Sequence, residues 1–144
     1  MWHGPAVGAL LVGFTPEQAA AHPVAGAHSA WELVLHMAAW AELAALRLAG
    51  GAVDYPPADV DWPSPPAVPT ADGWAAAQSR LAAAYDHLAE LARALPAGRL
   101  AERVAGQEHT VAVMLDGVVE HGAYHGGQLA LLRRAHGLPA APDA

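Results

Sequence analysis

Two histidines four residues apart, and a third far away in sequence, are the residues best placed to do chemistry in this chain. His121 and His125 lie in Glu120-His-Gly-Ala-Tyr-His-Gly-Gly-Gln128, and His36 lies in Trp31-Glu-Leu-Val-Leu-His36. Positions i and i+4 of a helix sit one turn apart on the same face, with Cβ atoms about 5–6 Å apart. Both imidazoles can therefore reach one metal ion. A third imidazole from a neighbouring helix would complete a three-His site with an open fourth position, the arrangement of catalytic rather than structural zinc-type centres.

The elements that must carry these side chains are legible from caps and periodicity. Ser29-Ala-Trp-Glu32 is a capping box that opens a helix running to about Ala49, with Gly50-Gly51 as its stop. Leu33, His36, Trp40 and Leu43 form its inner seam. A last helix is expected from an N-cap at Thr110 to Ala135 or His136, ended by Gly137 and Pro139. Its seam is Met114, Val118, His121, His125, Gln128 and Leu132, apolar at both ends and polar in the middle. A buried polar group without a partner costs on the order of 1–3 kcal/mol, so something must satisfy the middle. A metal does so with neutral imidazole, which is available at pH 7. A set of hydrogen-bonded core histidines, or a wet cavity, would account for the same pattern.

Other elements are expected as follows. A first helix spans about Pro5 to Phe14, with Pro5 in its first turn. Thr15-Pro-Glu-Gln18 is a second capping box, opening a short helix that ends before Pro23. Residues 52–69 hold six prolines and read as a long irregular crossover. A further helix runs from Thr70 or Asp72 to Leu95, with Trp74, Leu81, Tyr85, Leu88 and Leu95 inward. Leu100 to Val104 reads as a short extended piece.

Several side chains are candidates for the surroundings of the three histidines. Glu32 lies one turn before His36 and could accept its second ring proton, in competition with its capping role. Trp40 follows His36 on the seam. Tyr124 is a candidate wall or proton donor, and Gln128 a contact for a bound water or substrate. His3 could line the mouth of the site, in competition with a terminal surface position. His22, His28, His87, His109 and His136 read as solvated. No catalytic acid, base or nucleophile is assigned.

Sharper motifs are absent. A zincin needs Glu after the first His of the pair, where Gly122 stands, and the inverted form needs Glu before the second, where Tyr124 stands. No Glu-x-x-His occurs, against a di-iron bundle. There is no phosphate-binding glycine loop and no nucleophile elbow.

The bulk numbers narrow the field further. The chain has 144 residues, consistent with one domain over 1–144. It is 54% hydrophobic but only 6% aromatic, which favours closely packed helices. No apolar run approaches the roughly 18–20 residues that span a bilayer. The first basic residue is Arg47, so a secretory signal is not expected and the cytoplasm is. A net charge of -7 without a basic cluster argues against nucleic acid as a partner. Cys and Lys are both absent, which excludes disulfides, thiolate ligands, a cysteine nucleophile and Schiff-base chemistry.

Taken together, Trp31-Glu-Leu-Val-Leu-His36, His121-Gly-Ala-Tyr-His-Gly-Gly-Gln128 and Trp2-His-Gly-Pro5 resemble the DinB-like (YfiT-type) metal-binding four-helix-bundle superfamily over nearly the whole chain. The resemblance implies an all-α, up-down-down-up four-helix bundle with the Pro-rich crossover between its second and third helices. It implies a divalent metal, zinc or nickel, held by His36, His121 and His125. It also implies a thiol-dependent S-transferase acting on a small electrophile, with bacillithiol, mycothiol or glutathione as cosubstrate, and a homodimer. A metal-dependent hydrolase and a non-catalytic metal-binding or stress-related bundle protein are the alternatives. Two departures stand out: Gly122 occupies a place where the family often has Asp, and the first helix begins late.

Overall fold

Helix starts follow from local chemistry. The computed structural model describes residues 4–142. Six α-helices run through them: α1 Val7–Leu11, α2 Pro16–Ala20, α3 Ala30–Leu48, α4 Ala58–Asp61, α5 Ala71–Arg93 and α6 Val111–Ala135. Thr15 and Ser29 form complete capping boxes with Gln18 and Glu32, while Thr70 and Thr110 cap α5 and α6 through their hydroxyls. Each such cap satisfies an orphan N–H and contributes about 1 kcal/mol. The main ends are equally local. Gly50 and Gly137 take positive φ, and the chain closes on Leu46 and Arg133 carbonyls through Gly51 and Leu138 N–H groups. That is the paired closure that glycine makes cheap at a helix C-terminus.

Three expectations are corrected. The first helix is five residues long rather than spanning Pro5 to Phe14, and Pro5 lies outside it. Its N-cap is Ala6, which offers no side-chain acceptor, and Gly13 at φ 88 turns the chain away. The crossover is not wholly irregular, since α4 forms inside it behind Pro57. The segment from Leu100 to Val104 is not one extended piece. Arg99–Ala101 is a 3-10 turn, and Arg103 alone pairs in an extended bridge with Thr110.

α3 is the central element. Its buried residues occur on all sides, as expected for a helix covered all round. Both α5 and α6 pack on it, and the backbones of α5 and α6 do not approach each other closely. α5 runs alongside α3 in the same direction: Trp31 meets Trp74 at 5.3 Å between ring centroids, and Arg80 grips Glu42 through two bonds of 2.8 and 2.7 Å. Gly73 makes room for the first contact, because a Cβ there would lie 3.3 Å from the Trp31 ring. Two parallel helices need a connection as long as a helix, which is what the crossover supplies. α6 runs the other way, its C-terminal Leu129 and Leu132 joining the N-terminal part of α3.

Two apolar clusters result. One gathers Trp31, Leu33, Met37, Trp74, Leu81 and Leu129, and the other Ala44, Leu48, Leu88, Val104, Val111 and Met114. The polar middle of the α6 seam falls between them, facing His36. Arg133 ties the outer layer down. Its guanidinium donates to the carbonyls of Leu10 at 2.9 Å, Val12, and Pro139 at 2.7 Å. Among the described residues there is no strand, and no helix is long and apolar enough to cross a membrane.

Candidate metal centre

His36 on α3 and His121 and His125 on α6 converge, with one ring nitrogen from each inside a span of 4.8 Å. His121 Nε2 lies 2.9 Å from His36 Nε2 and 3.0 Å from His125 Nε2. The opposite ring nitrogens decide the tautomers. His36 Nδ1 donates to the backbone carbonyl of Asp61 at 2.7 Å, with Asp61 Oδ1 at 3.2 Å. His125 Nδ1 donates to Gln128 Oε1 at 2.7 Å. A neutral imidazole carries one proton, so His36 and His125 both turn a bare lone pair towards the centre. His121 can offer a proton to only one of them.

A cation resolves that conflict, because all three nitrogens then donate lone pairs to it. A tetrahedral ion with bonds of about 2.0–2.1 Å holds its ligand atoms about 3.3 Å apart, close to the spacing present. The donor set therefore fits a borderline divalent ion. Electrostatics agree. Burial, and then the charge that His125 and His36 would carry, push the His121 imidazole down to about 4, against a small opposing effect of Asp61. Burial likewise lowers His125, with the bond to Gln128 opposing it. Both rings are thus held neutral, the form that ligates.

The rings are also fixed mechanically. Trp62 stacks on His36 at 3.8 Å and 6°, and on His28 at 3.6 Å and 8°, so one imidazole covers each face of the indole. Trp40 donates its Nε1–H to Asp61 Oδ1 at 2.7 Å, locking the carboxylate that sits beside His36.

A cavity of about 380 Å³ opens onto the cluster. α3 lines it with His36, Trp40, Ala44 and Arg47, and α6 with Val113, Met114, Gly117, Val118 and His121. Tyr55 and Asp61 of the crossover and His109 before α6 complete the wall. His125, only 4% exposed, lies behind.

The sequence profile of the DinB superfamily matches residues 5–129. The chain belongs to the DinB superfamily. No curated protein and no solved structure matches it.

In this DinB protein the candidates named from sequence fall into distinct places. Trp40 borders the cavity, and Gln128 orients His125 instead of reaching into the cavity. Glu32 does not reach His36. Its carboxylate accepts from Ser29 N–H at 2.7 Å and contacts His22 at 2.9 Å, and these bonds hold it below the usual carboxylate range despite some burial. Tyr124 is 66% exposed and sets its ring edge against His125 at 5.0 Å, outside the cavity wall. His3 lies outside the described residues. Gly122 places no carboxylate near the cluster, and the Tyr85 hydroxyl lies 3.1 Å from where its Cβ would be.

Sequence reasoning missed further residues of this site. Asp61 and Trp62 sit in the crossover, where no periodicity marks a facing side. His109 is half-buried on the cavity wall and so not simply solvated, whereas His28 is exposed as expected, with one ring face stacked on Trp62. His136 is also half-buried, edge-on to Phe14. Two prolines before and four after an Asp-Trp pair were the available signal for a structured crossover.

Proposed function

We propose that this DinB protein is a divalent-metal-dependent S-transferase that joins a low-molecular-weight thiol to a small electrophile. The observation that carries the reading is the cavity opening onto His36 and His121. A site meant only to brace the fold needs no such volume. Zinc or nickel, held by His36, His121 and His125, would supply a lowered pKa for the thiol bound at the open position.

The chain's residues do the rest. The sulfur comes from outside, since the protein has no Cys. It attacks the electrophilic carbon, an S–C bond forms, and the leaving group departs with the bonding electron pair. His109, on the cavity wall, is placed to take the proton the thiol sheds. Trp40 and Trp62 limit water around His36, while Asp61 and Gln128 hold the ring tautomers. A hydrolase would have to use His109 on water instead, because Asp61, the carboxylate beside His36, is already bonded to Trp40 and His36.

The same reading takes α1 with α2, then α3, α5 and α6, as the four limbs of an up-down-down-up bundle. It places the protein in the cytoplasm, acting on small molecules. It also expects a homodimer, supported by Val113, Tyr124 and Leu131, which leave apolar surface exposed along α6.

The test is metal content by elemental mass spectrometry, followed by thiol consumption with bacillithiol, mycothiol and glutathione against a chloro-substituted acceptor. About one ion per chain, lost in His121→Ala together with turnover, is the expected result. Metal without turnover for any thiol would leave a non-catalytic metal protein. Absence of metal after reconstitution would remove the enzyme reading altogether.

A further inference from the structure

The cavity holds a buried cation that the metal cluster does not use. Arg47 is 4% exposed and forms part of the wall. Its Nε–H donates to the Val53 carbonyl at 3.0 Å, and its guanidinium lies 5.5 Å from the centre of the Tyr55 ring. Nη2 is buried and has no hydrogen-bond partner, and no carboxylate among the described residues pairs with the group. A buried guanidinium without a counter-charge is strongly unfavourable, and burying one is tolerated when an anion completes it. Asp61, the one acidic residue on the cavity wall, is bonded to Trp40 and His36.

Placement makes this a ligand subsite. Arg47 and His36 are 11 positions apart on α3, 47 − 36, which is three turns and about 20° of rotation. They share a face, with Trp40 and Ala44 between them. Helical side chains lean towards the N-terminus, so Arg47 reaches back along the cavity towards the histidines, leaving a gap on the order of 10 Å. With Nε engaged by Val53 and Nη2 without a partner, the guanidinium keeps its charge and its remaining N–H donors for an oxyanion that enters the cavity. The wall between is mostly apolar: Ala44, Val113, Met114 and Val118.

We infer that the small molecule taken by this cavity carries a carboxylate, seated on Arg47, with its reactive end at His36 and His121. The inference names the substrate class for the function proposed above and rests on that reading for the reactive end only. The Arg47 end stands on the cavity alone.

Calorimetric titration of the full chain, metal-free and zinc-loaded, separates the two. The probes are mercaptohexanoate, mercaptohexanol and hexanoate. Wild-type protein should bind mercaptohexanoate about tenfold or more tightly than mercaptohexanol, the usual size of one buried charge-assisted pair. Arg47→Gln should erase that preference without weakening the alcohol, and Arg47→Lys should keep part of it. If acid and alcohol bind alike, if neither binds, or if Arg47→Gln keeps the preference, the inference is overturned. If zinc and the thiol add nothing while the acid remains preferred, the metal reading fails and Arg47 keeps its role. Should Arg47→Gln lose its near-ultraviolet dichroism, the wild-type and Arg47→Lys titrations still decide.

Discussion

At the scale of single residues, the centre is governed by proton placement. Gln128 and the Asp61 carbonyl each accept a hydrogen bond from one ring N–H, and that leaves His125 and His36 with lone pairs directed at His121. Partners of this kind typically change metal affinity by about 10–100-fold when removed. Gln128→Ala is therefore expected to weaken zinc binding within that range while leaving helix content unchanged, as read by competition with a chromophoric chelator. Unaltered affinity would mean that the ring is held by packing alone. Acid sensitivity follows from the same residues. In the folded chain His121 is pushed from 6.5 down to about 4, and His125 is lowered as well. Between those values the unfolded chain binds more protons than the folded one, so stability is full above about pH 6.5 and falls as the pH drops towards about 4. Melting temperature of metal-free protein should decline across that window. A His121→Ala, His125→Ala double variant should decline less, and equal slopes would refute the assignment.

At the scale of elements, α1 is the weakest part of the design. It has five residues and no side-chain cap. Helices this short are not stable by themselves, and tertiary contacts must hold them. Leu10 and Leu11 are buried against α6, and Arg133 accepts the task of binding the carbonyls that close α1. Charge-assisted bonds to buried carbonyls contribute about 1.5–3 kcal/mol. Arg133→Met is expected to lower stability by about 2–3 kcal/mol in urea unfolding and to speed amide exchange at Leu10 and Leu11 before exchange in α3. If stability falls but α1 exchanges with the global core, Arg133 is a general core residue instead of a clamp on α1.

For the whole molecule, the three-His cluster lies between two apolar clusters, so an ion bound there should be felt throughout. A ligand present at a hundred times its dissociation constant stabilises the native state by about 2.7 kcal/mol. At about 2–4 °C per kcal/mol for a chain of this size, zinc or nickel should raise the melting temperature by roughly 5–11 °C, and a chelator should reverse the rise. His36→Ala should abolish the response. A rise that persists in that variant would place the binding elsewhere.

Local interactions are written in order along the chain, and for that reason they were readable from it. Thr15, Ser29, Thr70 and Thr110 cap helices through residues three positions on, and Gly50 and Gly137 end them within one turn. The His121–His125 pair belongs to the same class, because one helical turn sets its geometry. His36 could be matched to them because its own seam was periodic. Asp61, Trp62, His109 and Arg47 obey no such rule. Asp61 meets His36 across 25 positions, through a proline-rich crossover whose path depends on two parallel helices being joined. Arg47 looked like an ordinary basic residue in the last turn of a helix, where the dipole favours it. Packing of the crossover and Tyr55 over it created the buried charge. The amino-acid sequence determined the long helices and three ligand candidates. Only the tertiary structure decided which side chains surround them and which cation faces the cavity, because those contacts arise from chain segments that no local hydrogen bond connects.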